Sequence, residues 1–128
     1  MSKVYVYTRN SNVEAFEKGS SRETQIKKCG SYASIKDLVV DEIVQEQCSG
    51  QLPFDRRDKA FELLKKLKSN DHIICSHLDR FCRNTLSLLQ MIQKFKKKKI
   101  YLHFVDLNCE VTGSDAIGNV FLTMLSCF

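Results

Sequence analysis

The chain has 128 residues, of which 43% are hydrophobic and 27% charged, and its net charge is +5. This length and composition suit one globular domain spanning residues 1–128. No apolar run approaches the roughly 18 residues that a membrane span needs, and no signal peptide opens the chain. We therefore expect a soluble, intracellular protein without a membrane partner.

The first half of the sequence alternates between strand and helix patterns. Residues 4–7 are predicted as a short strand, followed by a polar stretch. The capping-box spacing of residues 20–23 predicts a helix that ends near Gly30. Residues 38–40 and 43–44 indicate a second strand, followed by a loop that contains the chain's only proline, Pro53.

The second half continues the alternation. Apolar residues at helical spacing predict a helix over residues 57–70, and residues 73–75 are predicted as the third strand. Asn84 caps the next helix, and residues 100–105 form the fourth strand. A last helix opens at Ser114 with its apolar stripe still running at Phe128, so we expect a long helix that is truncated there.

This order predicts an α/β fold, with a mainly parallel central sheet and helices on both faces. The carboxyl ends of parallel strands share one edge of the sheet, where active sites gather. Three polar clusters should converge there, one after each of the first three strands. Their members are Arg9 and Ser11, then residues 46–50, then Asp79, Arg80 and Arg83.

The residue types in these clusters favour phosphoryl transfer without a metal. A transferring phosphoryl group carries negative charge that a set of arginines can neutralise through paired hydrogen bonds. Arg9, Arg57, Arg80 and Arg83 could supply those bonds, with the Ser11 hydroxyl among them. The sequence offers no evident set of spaced carboxylates, so we expect no metal and no cofactor.

The six cysteines and three histidines are not expected to form a metal site. No two cysteines stand at C-x-x-C spacing, which argues against zinc. We expect free thiols in a reducing compartment, the cytoplasm or a nucleoid-equivalent. The histidines are expected to be flanking or strand-surface residues. The run at residues 96–99 is interpreted as lysines that offset a helix dipole rather than as a DNA contact.

The motifs resemble those of serine recombinases of the resolvase/invertase family. Residues 7–11 (YTRNS) resemble the family's Tyr-x-Arg-x-Ser opening, and residues 46–50 its acidic-x-x-Ser-Gly segment. Residues 78–84 (LDRFCRN) resemble its most specific signature, Leu-Asp-Arg-Leu-x-Arg-Ser. The resemblance also covers Gln25, Arg57 and Asp71, and extends over nearly the whole chain. Because the segment after Gly50 is longer than the family pattern, Arg56 competes with Arg57, and the distance to Asp71 favours Arg57.

The resemblance implies a resolvase-like fold and a DNA recombinase of the resolvase, invertase or transposase type. Ser11 would be the nucleophile that forms a 5′-phosphoserine intermediate, assisted by Arg9, Arg57, Arg80 and Arg83. The supporting residues would be Tyr7, Gln25, Glu46, Ser49 and Asp79. The partners would be DNA and further copies of the chain, as a homodimer or homotetramer assembled largely through the final helix.

The general base and the activity itself each have an open alternative. The base for Ser11 could be Glu46 or Asp79, or the surrounding arginines could make a base unnecessary. The alternative function is a catalytically silent oligomerisation or regulatory module that keeps the recombinase fold. The family's long final helix continues into a DNA-binding domain, which we expect to be missing after residue 128.

Overall fold

The computed structural model describes residues 2–11, 22–82 and 84–112. They form a five-stranded sheet in the order β2-β1-β3-β4-β5, whose first four strands are parallel and whose last pair is antiparallel. The strands are β1 Val4–Asn10, β2 Glu42–Gln47, β3 His72–Cys75, β4 Tyr101–Phe104 and β5 Cys109–Glu110. The helices are α1 Arg22–Ile35, α2 Asp58–Lys66, α3 Leu78–Phe81 and α4 Thr85–Lys98.

Helices cover both faces of this sheet, as the sequence predicts. All seven residues of β1 are buried, because β1 lies inside the sheet with a strand on each side. Val4 and Val6 point to the face that α1 covers with Cys29 and Tyr32. Alternate residues of β1 point to the opposite core, which α2 and α4 close with apolar side chains. These are Ala60 and Leu63 of α2, and Leu88, Met91, Ile92 and Phe95 of α4.

Three predicted boundaries were wrong. Helix α1 continues through Gly30 to Ile35, because Gly30 is solvent-exposed while Tyr32 and Ala33 pack into the core. Residues 38–40 lie outside β2. They lead the chain from the end of α1 to the sheet, and the Asp41 carboxylate accepts a hydrogen bond from the Val4 amide at 2.8 Å.

The third wrong boundary is the end of α2, which stops at Lys66 instead of reaching residue 70. Leu67 is extended (φ −63°, ψ 134°). The Asp71 carboxylate accepts the amide hydrogens of Lys68 and Lys3, both at 2.9 Å, and so turns the chain into β3. A local polar turn therefore overrides the helical apolar spacing.

The predicted cap of α4 was confirmed, whereas two elements were not foreseen. The Asn84 side chain accepts a hydrogen bond from the Ser87 amide at 3.1 Å. The short helix α3 buries Phe81, which stacks on Phe54 with ring centroids 4.1 Å apart. The two-residue strand β5 pairs with β4 in the antiparallel direction.

A hydrogen-bonded chain of rings links α1 to β4 and β3. The Tyr32 hydroxyl lies 2.8 Å from His103 Nδ1, and His103 Nε2 lies 2.9 Å from His72 Nδ1. His103 is only 6% exposed, so its expected place on a strand surface was wrong. Burial, with smaller contributions from His72 and Lys36, lowers the pKa of His103 to about 3.

Several expectations lie outside the described residues. They concern the start of α1 at residues 20–21, the last helix from Ser114 and its truncation at Phe128. Among the residues described, no helix is long and apolar enough to cross a membrane. The described cysteines that carry free thiols are Cys29, Cys48, Cys75 and Cys82.

Candidate active site

The polar clusters after the first three strands meet at one edge of the sheet. Ser11 follows β1 directly, and the Cys48 amide after β2 donates to the Asn10 carbonyl at 3.1 Å. The main-chain carbonyl of Arg80, in α3 after β3, accepts a hydrogen bond from the Arg9 side chain. Parallel pairing of β1 with β2 and with β3 places their carboxyl ends together, as the strand order predicts.

Arg9 ties the three segments to one another. Its side chain is fully buried, with Nε donating to the Arg80 carbonyl at 3.3 Å and Nη1 donating to the Cys48 carbonyl at 3.1 Å. The Gln25 amide group of α1 pairs with the Arg9 backbone on both sides, N–H and carbonyl, each at 3.2 Å. Gln25 therefore anchors α1 to the end of β1.

Arg57 is the second fully buried guanidinium, and all three of its nitrogens donate hydrogen bonds. Nη1 donates to the Arg80 carbonyl at 2.8 Å and to the Tyr7 hydroxyl at 3.1 Å. Nε and Nη2 donate to the carbonyls of Leu52 and Gly50, at 3.0 and 3.3 Å. Arg56 is exposed in the preceding 3-10 turn, so the structure places Arg57 in the cluster and Arg56 outside it.

Glu46 closes the other side of this network. Its carboxylate accepts the amide hydrogens of Lys59 at 3.1 Å and Ala60 at 2.9 Å, in the first turn of α2, where a negative charge is stabilised by the helix dipole. Tyr7 donates its hydroxyl hydrogen to Glu46 at 3.4 Å. Burial raises the pKa of Tyr7, although Arg57 opposes the shift, so the phenol keeps its proton and joins Glu46 to Arg57.

The two buried arginines share one acceptor, the main-chain carbonyl of Arg80. This contact fixes α3 against the end of β1 and brings two positive charges together at the edge where β1 ends. The hydrogen bonds given above run from Arg9 and Arg57 to backbone oxygens and to the Tyr7 hydroxyl. The two side chains form a buried cationic floor, and Arg80 is itself only 7% exposed.

The remaining predicted residues differ in where they lie. Ser11 is partly exposed at this edge. Ser49 is exposed, and its hydroxyl accepts the Gln51 amide hydrogen at 3.2 Å. Arg83 and the side chain of Asp79 lie outside the described residues. No group of three or more His, Cys, Asp or Glu residues suited to a metal occurs in the parts of the chain that are described.

A cleft of about 330 Å³ borders the cluster, between the loop after β2 and the start of α4. The lining residues are Gly50, Gln51, Leu52, Pro53, Cys82, Asn84 and Ser87. Leu52 was not predicted as a site residue, and Cys48 was predicted only as part of residues 46–50, because both act through main-chain carbonyls, which leave no side-chain pattern. Ser49, Gly50 and Pro53 were the only residues whose types indicated a loop at this edge of the site.

The comparisons with known proteins agree with this geometry. The family model for the resolvase N-terminal domain matches residues 4–128. The Transposon Tn2501 resolvase of Escherichia coli is 24% identical over 126 residues, which are 98% of this chain and 61% of that protein. The chain thus spans about three fifths of the length of this curated relative.

Solved structures show the same fold. The N-terminal catalytic domain of TP901-1 integrase superposes with a TM-score of 0.82 at 28% identity, covering 98% of this chain and 92% of that one. A resolvase family site-specific recombinase from Streptococcus pneumoniae gives a TM-score of 0.72 at 21% identity, covering 99% and 85%. Since the family model spans nearly all residues, the chain belongs to the family of resolvase N-terminal domains, the catalytic domains of serine recombinases.

Proposed function

We propose that this domain cleaves and rejoins DNA for site-specific recombination through a 5′-phosphoserine intermediate on Ser11. The position of Ser11 is the main support for this function. Ser11 directly follows the last residue of β1 and lies two residues after Arg9. At this edge of the sheet the guanidinium groups of Arg9 and Arg57 both donate to the Arg80 carbonyl. A phosphodiester beside Ser11 would therefore lie over a concentrated positive charge, which favours a phosphoryl transition state.

The proposed step is an in-line displacement at phosphorus. The Ser11 Oγ–P bond forms as the P–O3′ bond breaks, the serine proton is released, and the leaving 3′-oxygen takes up a proton. The products are a 5′-phosphoserine ester and a free 3′-hydroxyl. Because the ester keeps the energy of the broken bond, attack by a new 3′-hydroxyl reverses the step without a cofactor or a metal.

The contacts separate the roles of the charged residues. Arg9 and Arg57 hold the main chain of residues 48–52 and of Arg80, so we assign them to positioning and to the electrostatic field. Arg80 and Arg83 are the proposed contacts to the phosphate oxygens. Both Glu46 oxygens already accept hydrogen bonds, so Glu46 is assigned to anchoring α2 and Tyr7 rather than to taking the serine proton.

DNA is the proposed substrate, and further copies of the chain are the proposed partners, as a dimer or tetramer. Assembly through the final helix and a single domain over residues 1–128 stay predictions. The relatives support this assignment because they are named as a resolvase and an integrase. The recombination site would be chosen with the help of sequence outside the catalytic domain.

A catalytically silent module is the second candidate, and one observation favours it. Arg9 and Arg57 make contacts that any stable copy of this fold would keep, so their presence does not by itself require catalysis. Substitutions of Ser11 and Arg83 therefore distinguish a recombinase from a silent module better than substitutions of Arg9 and Arg57. A silent module would keep the buried contacts of Arg9 and Arg57 and would not cleave DNA.

The test is cleavage of a plasmid carrying the DNA that flanks the native gene, in excess chelator, by the product of that gene. Active protein should nick or linearise the plasmid, and Ser11→Ala should abolish cleavage while retaining DNA binding. Arg80→Ala and Arg83→Ala should reduce cleavage far more than binding. Cleavage by Ser11→Ala would refute the assignment, and no cleavage by the wild type would favour the silent module.

A further inference from the structure

Two lysine-rich runs of the sequence, residues 65–68 and residues 96–99, meet at the sheet edge opposite Ser11. We call this surface the lysine face. It consists of Lys3, Lys65, Lys66, Lys68, Lys96, Lys97, Lys98 and Lys99, all of them exposed. In a parallel α/β fold the carboxyl ends of helices and the amino ends of strands share one edge. The seven residues of β1 separate this edge from the candidate active site by about 20 Å.

Direct hydrogen bonds join the two runs. The Asn70 amide donates to the Lys99 carbonyl at 2.7 Å, and the Ser69 hydroxyl donates to the Lys98 carbonyl at 3.0 Å. The His72 amide donates to the Lys3 carbonyl at 2.8 Å. The end of α2, the start of β1 and the end of α4 are thereby held in one surface.

The acidic residues nearby leave much of this charge uncompensated. A cleft of about 430 Å³ is lined by Lys3, Lys65, Lys66, Lys68, Tyr5, Glu42 and Asp71. Glu42 pairs with Lys66 at 3.1 Å, whereas the Asp71 carboxylate is directed at the main-chain amides of Lys3 and Lys68. Seven of the eight lysines therefore have no ion pair within the described part of the chain.

Compensation of helix dipoles explains only part of the pattern. Lysines in the last turns of α2 and α4 do stabilise those helices. Lys99 is the C-cap of α4 and belongs to the same group, but Lys3 precedes a strand and Lys68 follows the C-cap of α2, so the dipole accounts least for these two. The property common to all eight lysines is that they lie on the same surface of the domain.

We propose that the lysine face binds the sugar–phosphate backbone of duplex DNA, at a second place remote from the reacting phosphate. Ammonium groups neutralise phosphates without reading sequence. Protein-binding surfaces are instead depleted in lysine and centred on aromatic or apolar side chains. One exposed aromatic ring beside these lysines, that of Phe61, has the Lys65 ammonium 4.4 Å from its centroid, so a cation shares this part of the surface.

The lysine face lies outside the proposed cleavage chemistry and does not depend on Ser11. It gives each catalytic domain two nucleic-acid surfaces, one at each edge of the sheet. A domain that holds a reacting site at one edge could hold a second duplex segment at the other. Failure of the cleavage proposal would leave this surface and its test unchanged.

Two variants with equal charge loss test the proposal. Lys68→Gln/Lys97→Gln/Lys98→Gln removes three charges from the lysine face and spares Lys66, which pairs with Glu42, and Lys99, which has a positive φ of 60°. Lys27→Gln/Lys28→Gln/Lys59→Gln removes three exposed charges elsewhere. Both are made in the 128-residue chain with Ser11→Ala, so that no cleavage interferes.

The measurement is the affinity for a fluorescent duplex of arbitrary sequence and about 20 base pairs, at a series of salt concentrations. Each lysine–phosphate contact contributes about 0.9 to the slope of log affinity against log salt. The lysine-face variant should lose about 3 from that slope, and the control less than about 1. Equal losses in the two variants, or an unchanged slope in the lysine-face variant, would overturn the proposal.

Discussion

Arg57→Ala should destabilise the fold severely, whereas Arg56→Ala should not. The Arg57 guanidinium is fully buried and donates to Tyr7, Arg80, Gly50 and Leu52. A hydrogen bond from a charged donor contributes about 1.5–3 kcal/mol. Adding the contributions of all four bonds would overestimate the loss of stability, because Tyr7 and the Arg80 carbonyl keep other partners and water can reach Leu52. We therefore expect a loss of about 3–4 kcal/mol, which includes the cavity left by the side chain.

Urea unfolding followed by circular dichroism measures this loss. The midpoint of Arg57→Ala should fall by more than about 1 M, while exposed Arg56→Ala should stay within about 0.5 kcal/mol of the wild type. Arg57→Lys keeps the charge without the planar fork and should lie between the two. If Arg57→Ala matched Arg56→Ala to within about 1 kcal/mol, the buried cationic floor would not be a structural element.

Three further predictions concern other parts of the fold. His103 takes up a proton at its ordinary pKa of 6.5 in the unfolded chain but only near pH 3 in the folded protein. Stability is therefore lost as the pH falls from 6.5 toward 3, and this group contributes up to about 1.4 kcal/mol per pH unit to that loss. His103→Asn should remove that part of the slope in urea titrations between about pH 4 and 7, and an unchanged slope would contradict the assignment. Glu46→Ala should cost about 1–3 kcal/mol because the first turn of α2 loses its acceptor, whereas exposed Glu62→Ala should be near neutral in the same assay. Among the described cysteines, Cys48 should be alkylated first at about pH 8, because it is partly exposed whereas Cys29, Cys75 and Cys82 are buried; burial raises the pKa of all four thiols, so access decides the order. Peptide mass mapping that found Cys29 or Cys75 first would refute this.

The sheet and the meeting of the polar clusters were predictable from the sequence. Strands buried on both faces leave continuous apolar runs, as at residues 73–75, and parallel order brings their carboxyl ends to one edge. The cap at Asn84 was predictable because a side-chain acceptor at a helix start is a local feature. The choice of Arg57 over Arg56 came from spacing, and burial places Arg57 in the cluster.

The contacts of the arginines could not be predicted in the same way. The acceptors for Arg9 and Arg57 are mostly main-chain carbonyls, which every residue carries, so no side-chain pattern predicts them. The sequence suggested that both side chains would reach phosphate directly. Their buried positions instead follow from how α3 and the loop after β2 pack against the end of β1.

Long-range packing decided the other differences. Alternation placed His103 opposite Leu102 and Phe104, but only the tertiary fold shows that Tyr32 of α1 covers it. Gly30 suggested a helix end, yet burial of Tyr32 and Ala33 carries α1 past it. In both cases a contact between residues distant in sequence outweighed the local signal.

The central claim is that Ser11 becomes linked to the 5′ end of cleaved DNA. The direct measurement is mass spectrometry of the peptide joined to DNA, after the native gene product and its flanking DNA are stopped with detergent in the presence of chelator. We predict one nucleotide-linked peptide, joined through Ser11 to a 5′-phosphate, absent from Ser11→Ala and present in Ser69→Ala. An adduct on another residue, or a linkage to the 3′ end, would contradict the claim.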